Sequence, residues 1–389
     1  YTYWFFGLFR YCCPSIFYLF ITFNSVAVLP AAQSALDKAE VLVDSVSPRE
    51  QRHVAALRYL LDGAPNKACA CWDEIVAGHP HDIVALRMHH YTCFWSGYRQ
   101  QLSTIPAAVL PAWEETIPHY GNVMGMLAFG LEELGLYGEA EQHGRAATDL
   151  NPDDLWAVHA VAHVMEMQQR AKDGIEWLDY TFDHFRDFNP FRGHIWWHKG
   201  LFLIQAGLFD EALLLYDQAI HDTESEFFLD VQNSVSFLAR LEFYGVNIGD
   251  RWKELAVAAK ANSDGHCLAF TDLHHIIALC RTEQFAAAAA HISSMQSFAA
   301  TQKSHVAMVI SDVGVPIGQS ILAHEQGFHD AALDLMMAHR IFVPRLGASN
   351  AQRDLLTLFG IDMARRAEAS ALEAQLLQER EFSRILTRY

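Results

Sequence analysis

The sequence predicts an all-α protein, a right-handed α-solenoid of about eight helix pairs with a C-terminal capping helix region. Two observations carry the prediction. A helix-turn-helix phrase reopens at Gly63, Gly97, Gly135, Gln169, Gly207, Gly245, Glu283 and Gly327, with spacings of 34, 38, 34, 38, 38, 38 and 44 residues. No stretch shows the period-two alternation of a strand, and no Pro/Gly-rich linker is long enough to divide the chain. A unit of this length is a helix pair that cannot bury its apolar stripe alone, so neighbours must stack into a continuous core.

Taken in chain order, residues 1–30 stand outside the pattern. Tyr1 to Leu36 carries one charge, Arg10, and eleven aromatics crowd Tyr1 to Phe23. The apolar block Ile16 to Phe23 is too short to span a bilayer, so the segment reads as a secretory h-region, an anchor or mistranslated sequence. A membrane role is expected only if this segment is native. Residues 31–389 form the repeat array. Ser47-Pro48-Arg49-Glu50 is a capping box with Pro at the first helical position, where a missing N–H costs nothing. His79-Pro80, Asn151-Pro152-Asp153-Asp154 and Asn189-Pro190 mark further helix starts, and Gly249-Asp250 reads as a turn and N-cap before Trp252 to Lys260. The alanine run from Phe285 to His291 predicts close helix packing. Asp312-Val313-Gly314-Val315-Pro316 places an acid before a turn, and Ser349 or Asn350 caps a tail helix or pair over Ala348 to Leu386.

Composition excludes several roles. A net charge of −18 with no dense run of Lys or Arg opposes nucleic-acid binding, because phosphate recognition needs a clustered basic face. Seven cysteines at 12, 13, 69, 71, 93, 267 and 280 are odd in number and scattered, which predicts reduced thiols in a cytoplasmic protein rather than a disulfide scaffold. Cys69-x-Cys71 is one residue short of the usual zinc spacing.

The period lies close to the ~34 residues of tetratricopeptide arrays. Beyond that frame, Ser47 to Val54 (SPREQRHV), Asp154 to Met167 (DLWAVHAVAHVMEM), His194 to Tyr216 (HIWWHKGLFLIQAGLFDEALLLY), Leu229 to Arg240 (LDVQNSVSFLAR), Phe270 to His274 (FTDLH), Asp312 to Pro316 (DVGVP) and Gly347 to Asp354 (GASNAQRD) resemble the tetratricopeptide repeat protein 38 family in order and spacing. The resemblance runs from about Ala35 to Leu386. It implies an all-helical, cytosolic repeat protein and names no activity.

With each anchor at position fifteen, positions two, five, nine and twelve of a tetratricopeptide unit line its concave face. In the Gln169 unit these are Trp156, His159, His163 and Glu166, which share a stripe because spacings of three and four return to one helix face. The Gly207 unit contributes His194 and Trp197 with His198 beside them, while Trp196 and Gly200 take packing positions. The Gly97 unit contributes Arg87, Tyr91 and Phe94, and Asp272, His274 and Arg353 are further candidates, Arg353 as a bidentate partner for a carboxylate ligand. Three readings of His159, His163 and Glu166 stay open: a ligand-recognition surface, satisfied structural histidines, and a metal or catalytic site with three ligands for zinc. His-Glu-x-x-His is absent. The expectation is therefore a binding module that grips a peptide, a protein segment or a polar small molecule in its groove, with no cofactor. The alternative is a metal-assisted or general acid–base hydrolase built on the same His/Glu/Asp cluster.

Overall fold

A computed structural model describes residues 28–181, 191–222, 225 and 227–385. The reading of residues 1–27 and the Asn189-Pro190 start lie outside the described residues. Those that are described form helices packed in adjacent pairs, with no strand among them.

Helix α1 (Leu29–Glu40) precedes the array and buries Ala32, Leu36 and Ala39. The pairs follow: α2 (Pro48–Leu61) with α3 (Pro65–Gly78), α4 (Ile83–Ser96) with α5 (Arg99–Val109), and α6 (Tyr120–Glu133) with α7 (Tyr137–Leu150). Next come α8 (Leu155–Met167) with α9 (Ala171–Tyr180), α10 (Arg192–Gln205) with α11 (Phe209–Leu215), and α12 (Phe228–Phe243) with α13 (Trp252–Ala261). A π turn over Tyr216–Ile220 extends α11. The series continues with α14 (Ala269–Arg281) and α15 (Phe285–Thr301), then α16 (His305–Glu325) and α17 (His329–His339), and ends with α18 (Asn350–Arg366) and α19 (Ser370–Ile385).

Every repeat anchor sits between the helices of a pair with positive φ, from +56° at Gln169 and Glu283 to +89° at Gly327. A left-handed residue past the helix end lets the last carbonyls be capped while the chain reverses, which is why glycine dominates there. Glu368, at φ +55°, makes one further turn of this kind between α18 and α19. Stacking is close where Cβ is missing: a Cβ on Gly200 would stand 2.3 Å from the Phe237 ring, and one on Gly130 2.3 Å from the Leu102 backbone.

Capping matches the sequence at Ser47, whose side chain accepts from the Glu50 N–H while Glu50 reaches back to the Ser47 N–H. The Ser349–Gln352 box does the same for α18. Two starts need correction. Pro80 and Pro152 lie in turns, and the caps are Asp82 and Asp154, which accept the Ala85 and Trp156 N–H groups at 3.0 and 3.1 Å. The carboxylates take the role because an Asp acceptor satisfies helix-start donors that Pro cannot. Arg251 rather than Asp250 precedes α13 and makes no side-chain cap. The Asp312–Pro316 phrase is not a turn between helices: a π turn over Ile310–Gly314 joins His305–Val309 to Val315–Glu325 in one continuous helix. The shifted bonding absorbs Pro316, which lacks an N–H to give. Of the alanine run in α15, Ala288 is buried while Ala286, Ala289 and Ala290 are exposed, so its packing is narrower than expected.

The chain also folds back on itself. His305 N–H donates to the Gly63 carbonyl at 2.8 Å, and a Cβ on Gly347 would collide with the Trp95 carbonyl oxygen at 2.3 Å. Arg240 donates to the Ala351 carbonyl at 2.7 Å. The last two, with a bond from Arg353 to Glu133 at 3.0 Å, lay the start of α18 against α4, α6 and α12. Helix α16 is long and apolar enough to cross a membrane, yet 56% of its most apolar window is buried inside the protein, with Ile310, Val313, Ile317 and Ile321 in the core.

Candidate functional site

The site is built from the first helices of successive pairs. Asp154 caps α8 and accepts a bond from the Asn122 side chain at 2.8 Å, which fixes the helix start at the edge of a cleft of about 580 Å³. Arg87, Tyr91 and Phe94 reach this cleft from α4, Trp156 and His159 from α8, His194 from α10 and Gln352 from α18. The Arg87 guanidinium lies 4.5 Å over the Trp156 ring, where cation and ring face attract each other. Burial lowers the Arg87 pKa, and the neighbouring Asp154 carboxylate opposes that shift. The Tyr91 hydroxyl is pushed up to about 12, chiefly by burial. It is a neutral donor at ordinary pH.

Behind the cleft wall, His159, His163, His194 and His198 form one buried cluster, each at most 2% exposed. Spacings of four residues within α8 and within α10 put two imidazoles on the facing side of each helix. His163 Nε2 is 2.8 Å and His194 Nε2 3.1 Å from His159 Nε2. Two outward nitrogens are held by polar partners, His198 Nδ1 donating to Glu166 Oε2 and His194 Nδ1 to Asn233 Oδ1, both at 2.9 Å; among the described residues His159 Nδ1 and His163 Nδ1 make no hydrogen bond, the latter facing Glu132 Oε2 at 3.5 Å. Phe129 stacks on His159 with centroids 5.4 Å apart, and Trp197 on His194 at 5.1 Å. Desolvation holds His159, His163 and His194 well below the usual histidine range and His198 at about 3; crowding by like or cationic neighbours adds to it. All four imidazoles are therefore neutral at pH 7.

The structure thus brings together seven of the predicted residues, Trp156, His159, His163, Glu166, His194, Trp197 and His198, and joins Arg87 and Tyr91 to them through the cleft. It places three others elsewhere. Asp272 belongs to a separate group in which its Oδ1 accepts from His266 Nδ1 and His291 Nε2, both at 2.9 Å. Burial raises that carboxyl, but the two imidazoles outweigh it and hold it below the ordinary range. His274 Nδ1 donates to the Phe270 carbonyl at 2.7 Å. Arg353 must be corrected: it is buried, donates to Glu133 Oε2 at 3.0 Å and to the Asn350 side chain at 2.8 Å, and also contacts the Gly347 and Ala348 carbonyls. Its fork is spent on the fold because Glu133, fully buried, needs a cation.

Sequence reasoning missed Glu132, Glu133, Asn233 and a thiol group. Glu132 carried a readable signal, since it holds position twelve of the Gly135 unit, as Glu166 does one unit later. Cys69 pairs not with Cys71 but with Cys93, at 3.7 Å between sulfurs, and His89 completes the group from the same helix as Cys93. The described cysteines are all free. No known protein-family model matches the chain.

Proposed function

We propose that the protein is a right-handed, tetratricopeptide-like solenoid of the tetratricopeptide repeat protein 38 type, acting as a binding module for a polar small molecule held in the cleft between α4, α8 and α10. One observation carries this reading. The expected groove residues His159, His163, Glu166, His194, Trp197 and His198 are each at most 3% exposed, because α18 lies over the inner face where an extended peptide would run. What stays concave is the 580 Å³ cleft, a size that suits a small ligand and combines aromatic walls with a few polar groups. Trp156 and Phe94 offer flat apolar surface, while Arg87, Tyr91 and Asp154 offer a cation, a donor and an acceptor. The ligand has a planar or apolar body and a polar end.

The test is equilibrium dialysis of the full chain against a metabolite extract, with retained molecules identified by mass spectrometry. Retention should fall at least tenfold in Arg87→Met, since a lost charged contact of ~1.4 kcal/mol is already a factor of ten. Enrichment of extended peptides in place of small molecules would reverse the reading. A second reading, metal-assisted or general acid–base hydrolysis, is favoured by one fact, that His159 and His194 belong to both the histidine cluster and the cleft wall.

A further inference from the structure

We propose that His159, His163, His194 and His198 form a transition-metal site that clamps α8 to α10 through four imidazole nitrogens. The argument begins with protons. His194 and His198 each commit Nδ1–H to an acceptor, Asn233 Oδ1 and Glu166 Oε2, so a neutral ring must present Nε2 as a lone pair. His163 and His194 both bring Nε2 against the Nε2 of His159. A single proton on His159 makes one linear hydrogen bond, which leaves a second nitrogen facing it without one. Among the described residues, His198 Nε2 is buried with no hydrogen-bond partner. Lone pairs brought together in a dry interior repel each other. A divalent cation removes the conflict.

The geometry agrees. One nitrogen from each of the four rings lies within 4.8 Å of all the others. Tetrahedral zinc with Zn–N of ~2.0 Å needs nitrogens ~3.3 Å apart, so the contacts at 2.8 and 3.1 Å open by a few tenths of an ångström while the wider pairs, none beyond 4.8 Å, close to seat the ion. The Nδ1 atoms of His198 and His194 already meet a carboxylate and an amide oxygen, the arrangement that fixes the tautomer of ligating histidines. Among the described residues, neither carboxyl oxygen of the fully buried Glu132 has a hydrogen bond, and it faces His163 Nδ1. Glu166 adds a carboxylate behind the four neutral ligands through its bond from His198 Nδ1. An all-nitrogen donor set of this kind suits Zn²⁺ or a neighbouring borderline metal rather than Ca²⁺ or Mg²⁺.

The test uses the tag-free full chain loaded with Zn²⁺, with metal content and X-ray absorption at the zinc edge as readouts. Wild type should bind about one zinc per chain with a shell of nitrogen at ~2.0 Å, imidazole outer-shell scattering and no sulfur at ~2.3 Å. The double variant His163→Gln/His198→Gln should lose that zinc, whereas Cys69→Ser/Cys93→Ser should keep it. Sulfur in the wild-type shell, zinc that survives in a folded histidine variant, or no stoichiometric zinc in the folded wild type would each overturn the proposal. The absorption spectrum of wild type decides the matter even if the histidine variant does not fold. Arg87→Met should leave zinc content unmoved, so this result stands or falls apart from small-molecule capture.

Discussion

Asp362 shows how a single carboxylate carries pH dependence in this chain. It accepts from His324 Nε2 at 3.0 Å and from Arg366 Nε at 2.8 Å. Burial raises its pKa, but the His324 bond and the Arg366 charge outweigh burial and bring it to about 2. The unfolded value is near ~3.9, so the stabilisation is fully present above that pH and is lost as pH falls toward about 2. Urea unfolding should find Asp362→Asn weaker than wild type by on the order of 2 kcal/mol at neutral pH, with the gap closing below pH ~4. An unchanged gap in acid would mean that charge plays no part there. The histidine cluster marks where residue-level reading succeeds and stops. Repeat phase placed His159, His163, His194 and His198 together because helix periodicity decides which side chains share a face. Asn233 could not be found this way, since its contact with His194 depends on how α12 stacks on α10.

The connecting turns were the most legible elements. All eight anchors have positive φ, including Gln169 and Glu283, which only the spacing identified. Glu368 escaped because no glycine marks it, although it falls 41 residues after Gly327, within the range of the other intervals. Two glycines separate conformational from steric demand. Gly207 has φ +75° and open space around it, whereas at Gly347, φ +73°, a Cβ would meet the Trp95 oxygen and carbon at 2.3 and 2.7 Å. Gly207→Ala should therefore cost ~1–2 kcal/mol, the left-handed penalty alone. Gly347→Ala should cost clearly more, because its φ +73°, ψ −150° conformation is essentially confined to glycine and the start of α18 must also move away from α4. Thermal melts of the two variants check the order, and equal losses would contradict the close approach.

At the scale of the molecule, the difference from expectation is closure. A nearest-neighbour array loses stability repeat by repeat, but here Gly63 bonds His305 and Glu133 bonds Arg353 across 220 residues. The spacing of repeats could not reveal these contacts, since periodicity describes neighbours and says nothing of distant ends. Denaturation followed by far-UV circular dichroism and by tryptophan fluorescence should give one coincident transition. Arg353→Met removes the nearer of two cations from the buried Glu133 carboxylate and leaves Arg99 at 3.7 Å, at a cost of ~1.5–3 kcal/mol for the lost charged hydrogen bond, and should split that transition into two. Coincident curves in the variant would show that closure does not couple the ends.

The Glu133–Arg353 pair also sets a schedule for biosynthesis. At ribosomal rates of ~5–20 residues per second, roughly 10–40 s pass between the emergence of the acid and the emergence of its partner. During that interval the Glu133 carboxylate has Arg99 at 3.7 Å but lacks its bonds from Arg353 and Asn350, and α8 and α12 have no α18 packed on them. The last forty or so residues therefore act as a latch, and a nascent chain arrested before Gly347 is expected to be the species that chaperones hold.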